Sequence, residues 1–316
     1  MGLVVINMFK GITRYFSCGS TLKSSYTTKP RKTIVDIAKK YNNNQPISVV
    51  TGHDFITSKI IDKADVDITL IGDSLAMTTL GYEDTNELPF DEYLYHVKSV
   101  QRGNKTSLLI GDLPFGSFEQ SIDQAIESSI KLIKYGKIQG IKLEGGSESI
   151  IPTVEKLIDV GIPIMGHVGL TPQKHNTFGG FKLQGTTVKN CLQIYQECLN
   201  LQKAGAFAIV LECIPNKLAQ FITENLSIPT IGIGAGPYCS GQVLVVADML
   251  GMTDPHEFHT AKFVKKYANF FDEGVNAIKT YNQDLIDKSF PLPNDHGYKI
   301  KTDVLQEFKQ LATGLK

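Results

Sequence analysis

Eight short apolar runs, separated by segments of helical period, limit the fold of this 316-residue chain more than any other feature. They are ISVVTGHD (47–54), DITLIGDS (67–74), SLLIGDLP (107–114), GIKLEGG (140–146), PIMGHVGL (163–170), AIVLECI (208–214), PTIGIGAG (229–236) and VLVVADML (243–250). Each is nearly continuous in leucine and β-branched residues, as strands are when both faces of a parallel sheet are covered. Between them, QSIDQAIESSIKLIKYG (120–136), ESIIPTVEKLIDVG (148–161) and TVKNCLQIYQECLNLQKAG (187–205) repeat apolar residues at three and four and end on glycines suited to a left-handed cap. In the first of these, Ile122, Ile126, Ile130 and Ile133 are expected to press on the sheet while Lys131 and Lys134 stay in water. Such repetition permits an open doubly wound sheet. A count of eight, with no GxGxxG opening the first unit, favours closure into a single α/β domain, a (β/α)8 barrel.

Composition narrows the partners. With 42% hydrophobic and 20% charged residues, and 32 basic against 32 acidic side chains, the chain carries no global field for nucleic acid or membrane. No apolar run reaches the length of a membrane span. Cysteines at 18, 191, 198, 213 and 239 form no CxxC pair and lie near no histidine at finger spacing, which argues against structural zinc and a disulfide framework. Before Asp36 there is no acidic residue, whereas Lys10, Arg14, Lys23, Lys29, Arg31 and Lys32 alternate with Ser, Thr and apolar residues. That pattern reads as a mitochondrial transit segment over 1–32, the alternative being a basic arm on a cytoplasmic protein. The barrel is expected over 33–298. After Gly251 a long helical stretch should begin with FVKKYANFF (263–271); Pro291 and Pro293 break it, and a lysine-rich tail (299–316) follows.

Reactive groups of such barrels sit at the C-terminal ends of the strands, and the polar residues of the eight runs collect there. Asp73, Asp112 and Glu144 come from consecutive strands and can meet near the mouth. Three hard oxygen donors suit magnesium, and without a cation they would repel one another and shift toward the protonated form. Lys142 shares a strand face with Glu144, two residues away, and adds one positive charge. A 2-oxo acid could chelate the ion through its carboxylate and keto oxygens while Lys142 steadies charge developing on the enolate. Glu212, across the ring, is placed to take a proton from the carbon beside the keto group. His167 and Ser74 are candidates for orienting the substrate carboxylate. Each residue also has a structural reading: Asp73 or Asp112 as a helix cap, Lys142 with Glu144 as a local ion pair, Glu212 as a capping residue and His167 as a core hydrogen-bonder. The glycines at 232, 234 and 236 could cradle phosphate or admit a large cofactor.

Taken together, IGDSLAM (71–77), DLPFGS (112–117), IKLEGG (141–146), GHVGLTPQ (166–173), FGGFKLQG (178–185), VLECIP (210–215), LSIPTIGIGAG (226–236), GQVLVVADMLG (241–251) and FPLPNDHGY (290–298) resemble the ketopantoate hydroxymethyltransferase family. The resemblance implies a TIM barrel of the phosphoenolpyruvate/pyruvate type that acts with Mg2+. It also implies transfer of a one-carbon unit from 5,10-methylenetetrahydrofolate to 3-methyl-2-oxobutanoate, on the route to pantothenate, by a homo-oligomer. It makes Asp73 and Asp112 metal-binding aspartates, Glu144 the third metal-site carboxylate, Ser74 and Lys142 contacts of the oxo acid, and Glu212 the proton acceptor. The sequence departs from the family pattern at His53, where Tyr is usual, at Ala76, where Gly is usual, and over 82–88, which is about two residues longer. The rival within the same type of barrel is a lyase that breaks a C–C bond; a silent binding scaffold would have no reason to gather charges at one rim.

Overall fold

Among the residues described by the computed structural model, 31–257 and 260–314, every expected run contributes a strand. These are β1 (Ile47–Thr51), β2 (Ile68–Ile71), β3 (Leu108–Asp112), β4 (Gly140–Glu144), β5 (Ile164–Gly169), β6 (Ala208–Glu212), β7 (Thr230–Ile233) and β8 (Gly241–Leu244). Neighbours pair in parallel and in sequence order, and β8 returns to β1 with Val243 opposite Val49, so the sheet is a closed barrel. Helices α1 (Ile34–Asn42), α2 (Phe55–Lys63), α3 (Phe90–Gly103), α4 (Ile122–Gly136) and α5 (Ile151–Asp159) accompany the first half. A short α6 (His175–Phe178), α7 (Val188–Ala204), α8 (Asn216–Asn225), α9 (Val246–Leu250), α10 (Phe270–Ile286) and α11 (Thr302–Thr313) follow. None of the described helices is long and apolar enough to cross a membrane.

Strand alternation divides the core into two layers. Val49, Ile68, Leu70, Leu108, Ile110, Met165, Ala208, Val210, Ile231 and Val243 form one buried cluster with Ile37 of α1, the filling of the barrel. The alternate residues Leu109, Ile141, Leu143, Ile164, Val168, Ile209 and Leu211 pack against Val97, Leu132, Val154, Leu201 and Ile222 of the surrounding helices. Extending this period of two to the strand ends gives Asp112, Lys142, Glu144, His167 and Glu212 the parity of the filling, so they face inward at the C-terminal rim.

Three local expectations are corrected. The face of α4 turned to the core is Ala125, Ser128, Ser129, Leu132 and Gly136, while Ile122 and Ile130 are exposed and Ile126 and Ile133 lie at the edge of the core. Small residues win that face because the helices approach closely: a Cβ on Gly136 would stand 2.5 Å from Val97 Cγ1. Gly136 is therefore the last helical residue and Lys137 takes the left-handed cap (φ 55°), although Gly161 and Gly205 are left-handed as expected. The run 243–250 splits: β8 begins earlier, at Gly241, where any side chain would collide with Ile47 O, and after Leu244 the chain turns into α9. That turn is tied to β1 by Val246 N–H donating to Thr51 Oγ1 at 3.0 Å. Finally, residues 263–269 are not helical, and α10 starts at Phe270 with Asp272 and Glu273 in its first turn, where the helix dipole favours them.

The contacts divide the chain into two units, residues up to 249 with 260–265, which hold the barrel, and 250–259 with 266–316. Within the second unit, Phe290 packs edge-on against Tyr281 and His296, with ring centres 5.9 and 4.8 Å apart. Of the expected leader, 1–30 lies outside the described residues. Arg31 and Lys32 are bound: the Arg31 guanidinium donates to Asn104 O at 2.7 Å, and Lys32 pairs with Asp65 and Asp67 at 3.0 and 3.3 Å.

Candidate active site

At the C-terminal rim the inward-facing charges meet. The Lys142 ammonium lies 3.0 Å from Asp112 Oδ2, the same oxygen that accepts the Asp73 backbone N–H at 3.0 Å. Registry explains the first contact, because Asp112 and Lys142 are partners across β3 and β4. Lys142 also stands 3.4 Å from His167 Nδ1, and His167 Nε2 stands 3.2 Å from Glu212 Oε2. The second approach lies off the N–H direction, so it is a contact that a small ring rotation would turn into a hydrogen bond. An ammonium only donates, which leaves Nδ1 as acceptor and the imidazole proton on Nε2, facing Glu212. Burial and then the Lys142 charge hold His167 below its ordinary pKa, so it is neutral at pH 7.

The chain of contacts thus runs Asp73, Asp112, Lys142, His167, Glu212, with Glu144 close to His167: Glu144 Oε1 is 3.8 Å from His167 Nδ1. All but Glu212 are buried, and the Glu212 side chain keeps 16% of its surface open, as a group that exchanges protons with a ligand needs. Ser74 is half-buried beside Gly72 and makes no side-chain bond with the other six.

Among the described residues, no three His, Cys, Asp or Glu side chains stand grouped as a ready coordination shell. Lys142 takes Asp112 Oδ2, and the Gln173 amide donates to Asp73 Oδ2 at 2.7 Å. Two oxygens are nonetheless left buried without a hydrogen-bond partner, Asp112 Oδ1 and Glu144 Oε1. Burial, countered in part by Lys142, raises Asp112 to about 7. Burial and then the nearby Asp73 carboxylate push Glu144 well above the usual carboxylate range. For Lys142 burial works against the charge, yet Asp112, Asp73 and Glu144 outweigh it and raise its pKa, so the ammonium persists. One lysine does not balance the carboxylates. The orphan oxygens and the raised carboxyl pKa values fit a site that accepts a further hard cation.

Gln173 is the site residue that the strand-end reading passed over. It lies in a one-turn 3-10 helix after β5, and besides Asp73 it donates through Nε2 to Leu113 O at 2.9 Å and through its backbone N–H to Glu144 Oε2 at 3.1 Å. The only signal in the sequence is its place at the end of GHVGLTPQ. The glycines of β7 and its loop serve the protein's own packing: a Cβ on Gly232, Gly234 or Gly236 would meet Cys239 Sγ, Phe263 or Asn216 at 2.9, 2.9 and 2.5 Å. Cys213 follows Glu212, and burial with the neighbouring Glu212 charge raises its thiol to about 12; burial likewise raises the Cys198 thiol, so neither supplies a thiolate at neutral pH.

Residues 31–293 match the family model described as ketopantoate hydroxymethyltransferase. The chain is 43% identical over 288 residues to the 3-methyl-2-oxobutanoate hydroxymethyltransferase of Emericella nidulans, covering 90% of this chain and 82% of that one. It is 42% identical over 280 residues to the Arabidopsis thaliana protein named 3-methyl-2-oxobutanoate hydroxymethyltransferase 1, mitochondrial (88% of this chain, 81% of that one). Among solved structures, a phosphonopyruvate hydrolase in complex with oxalate and Mg++ superposes with a TM-score of 0.53 at 10% identity, over 88% of this chain and 95% of the other, a likeness of fold.

Proposed function

Since this chain belongs to the ketopantoate hydroxymethyltransferase family, we propose that it converts 3-methyl-2-oxobutanoate to ketopantoate with 5,10-methylenetetrahydrofolate as one-carbon donor. The observation that carries the reading is the inward cluster of Asp73, Asp112, Lys142, Glu144, His167 and Glu212 with two carboxylate oxygens unpartnered. Asp73 and Asp112, with Glu144 beside them, would hold Mg2+, which supplies Lewis acidity toward the carboxylate and keto oxygens of a 2-oxo acid.

The chain's own residues do the rest. Lys142 keeps a fixed positive charge on the inner face of β4, aimed where the keto oxygen gains negative charge. Glu212 removes the proton from C3. The neutral His167 turns its Nε2 proton toward Glu212, 3.2 Å away, and after a small ring rotation would orient that carboxylate. The resulting C3 nucleophile forms its bond to the methylene carbon, and both bonds from that carbon to N5 and N10 of the folate break. Water supplies the hydroxyl group, and the C3 proton and the second hydrogen of that water end on the two folate nitrogens. Net, C3–H becomes C3–CH2OH. The family's enzymes are homo-oligomers by the resemblance, and this chain is assigned the same habit; the basic leader together with the mitochondrial name of the Arabidopsis relative supports import into mitochondria.

Purified protein should form ketopantoate only with the oxo acid and the folate together; a chelator should abolish the activity and Mg2+ restore it. Cleavage of a 2-oxo or 2-hydroxy acid without folate would replace this reading with the lyase. Glu212→Gln should slow exchange of the C3 hydrogen with D2O by about 10²- to 10⁴-fold while oxo-acid binding persists. Unchanged exchange would remove Glu212 from the role of base.

A further inference from the structure

Behind Gln173, two loops of the rim are fastened to each other. The loop after β2 offers Asp84, whose Oδ2 lies 3.2 Å from His175 Nε2, and Asn86, whose Nδ2 donates to Gln173 O at 3.1 Å. His175 Nδ1 lies 3.0 Å from Pro172 O, and the ring stacks on Phe181 with centres 5.7 Å apart. His175 is thus gripped on both nitrogens and one face, and Gln173 is held through its own carbonyl. From that fixed backbone Gln173 reaches Asp73 through its amide and Glu144 through its backbone N–H, joining carboxylates from two strands. Its Oε1 is buried and has no hydrogen-bond partner, and the residue is 5% exposed, so an acceptor is left unused beside the two carboxylates.

We infer that Gln173 is a positioning residue for the Asp73 and Glu144 carboxylates, and that the Asp84–His175 pair with Asn86 is the latch that sets its place. The inference rests on the reading of Asp73, Asp112 and Glu144 as a cation site. Without the amide, Asp73 Oδ2 would lose its donor and turn, and with it the spacing that a hard cation requires. Groups that orient metal-holding carboxylates from behind are worth about 10- to 100-fold in affinity. The latch lies one step further out. Its removal loosens the loop after β5 without deleting any contact to the carboxylates, so its effect is smaller, and its two halves act as one unit.

The test measures Mn2+ binding to the full chain by electron paramagnetic resonance, without substrate, for wild type, Gln173→Met, Asp84→Asn, His175→Leu and the Asp84→Asn/His175→Leu double variant. Hydrogen exchange over 171–185 is followed in the metal-free proteins. Gln173→Met should weaken Mn2+ about 10- to 100-fold. Each latch variant should weaken it several-fold and speed exchange of the loop, and the double variant should be no worse than the stronger single one. Wild-type affinity in Gln173→Met, or single effects that multiply in the double variant, would overturn the proposal. If Gln173→Met does not fold, the latch variants decide alone: unchanged exchange and unchanged Mn2+ affinity would refute it. Failure of the wild type to bind Mn2+ would instead sink the cation site itself.

Discussion

Asp67 shows what one carboxylate does at the opposite end of the barrel from the reaction. Its side chain is 4% exposed, yet it accepts from Lys40 Nζ at 2.6 Å, from Ser48 N–H at 2.9 Å and from Ser48 Oγ at 3.0 Å. Burial by itself would raise its pKa; the bonds from Lys40 and Ser48 overcome that and hold it below the ordinary value. A depressed carboxyl stabilises the fold above its unfolded pKa of about 4, and that stability is lost as pH falls through the folded value. Asp67→Asn should therefore cost about 2 kcal/mol at pH 7 in urea titration and flatten the loss of stability below about pH 4. Equal slopes in both proteins would mean that other carboxyls carry the acid limb. The reacting end was more legible than this one, because the period of two along β3, β4, β5 and β6 assigns Asp112, Lys142, Glu144, His167 and Glu212 to one face from spelling alone. Gln173 was not legible that way. It reaches Asp73 across 100 residues of sequence through a loop, where no periodicity says which side chain turns inward.

At the scale of elements, the strands were readable because each had to be apolar on both faces, and the errors fall where apolarity has no direction. VLVVADML carries no period that separates the end of β8 from α9; the break is set by Thr51 and by the close approach of Gly241 to Ile47, both remote in sequence. In α4 the isoleucines mark an apolar stripe, but the distance to α3 selects the smaller residues for the interior. Gly136→Val should accordingly overpack against Val97 and cost about 1–3 kcal/mol, whereas Ile130→Ser, on the exposed face, should change stability by about 0.5 kcal/mol or less. Lys137 makes the converse case, since a non-glycine residue there holds φ at 55°. Lys137→Gly should leave activity alone and stabilise by about 0.5–1 kcal/mol, read as a higher urea midpoint. A lower midpoint would show that the lysine side chain contributes more than its backbone strain removes.

For the whole molecule, the (β/α)8 fold separates the two ends of its barrel, so stability and chemistry can be altered independently. Ile37 of α1 joins the barrel filling, and the chain leading into α1 is fixed by Arg31 to Asn104 O, by the Lys32 N–H to Thr106 O at 2.8 Å and by the Lys32 ion pairs to Asp65 and Asp67. Asp65, Asp67 and Thr106 precede β2 and β3, at the end remote from Asp112, Glu144 and Glu212. The family match also opens at residue 31. A chain begun at Arg31 should therefore melt and turn over like the full chain. A chain begun at Ile34 loses these anchors while Lys40 still partners Asp67, which sets the cost at about 2 kcal/mol and the fall in Tm at about 4–8 °C, with kcat/KM unchanged below the melt. Calorimetry of the two truncations decides it. Equal melting temperatures would show that Arg31 and Lys32 are dispensable to the barrel, and a loss of kcat/KM at unchanged Tm would show that the two ends of the barrel are coupled.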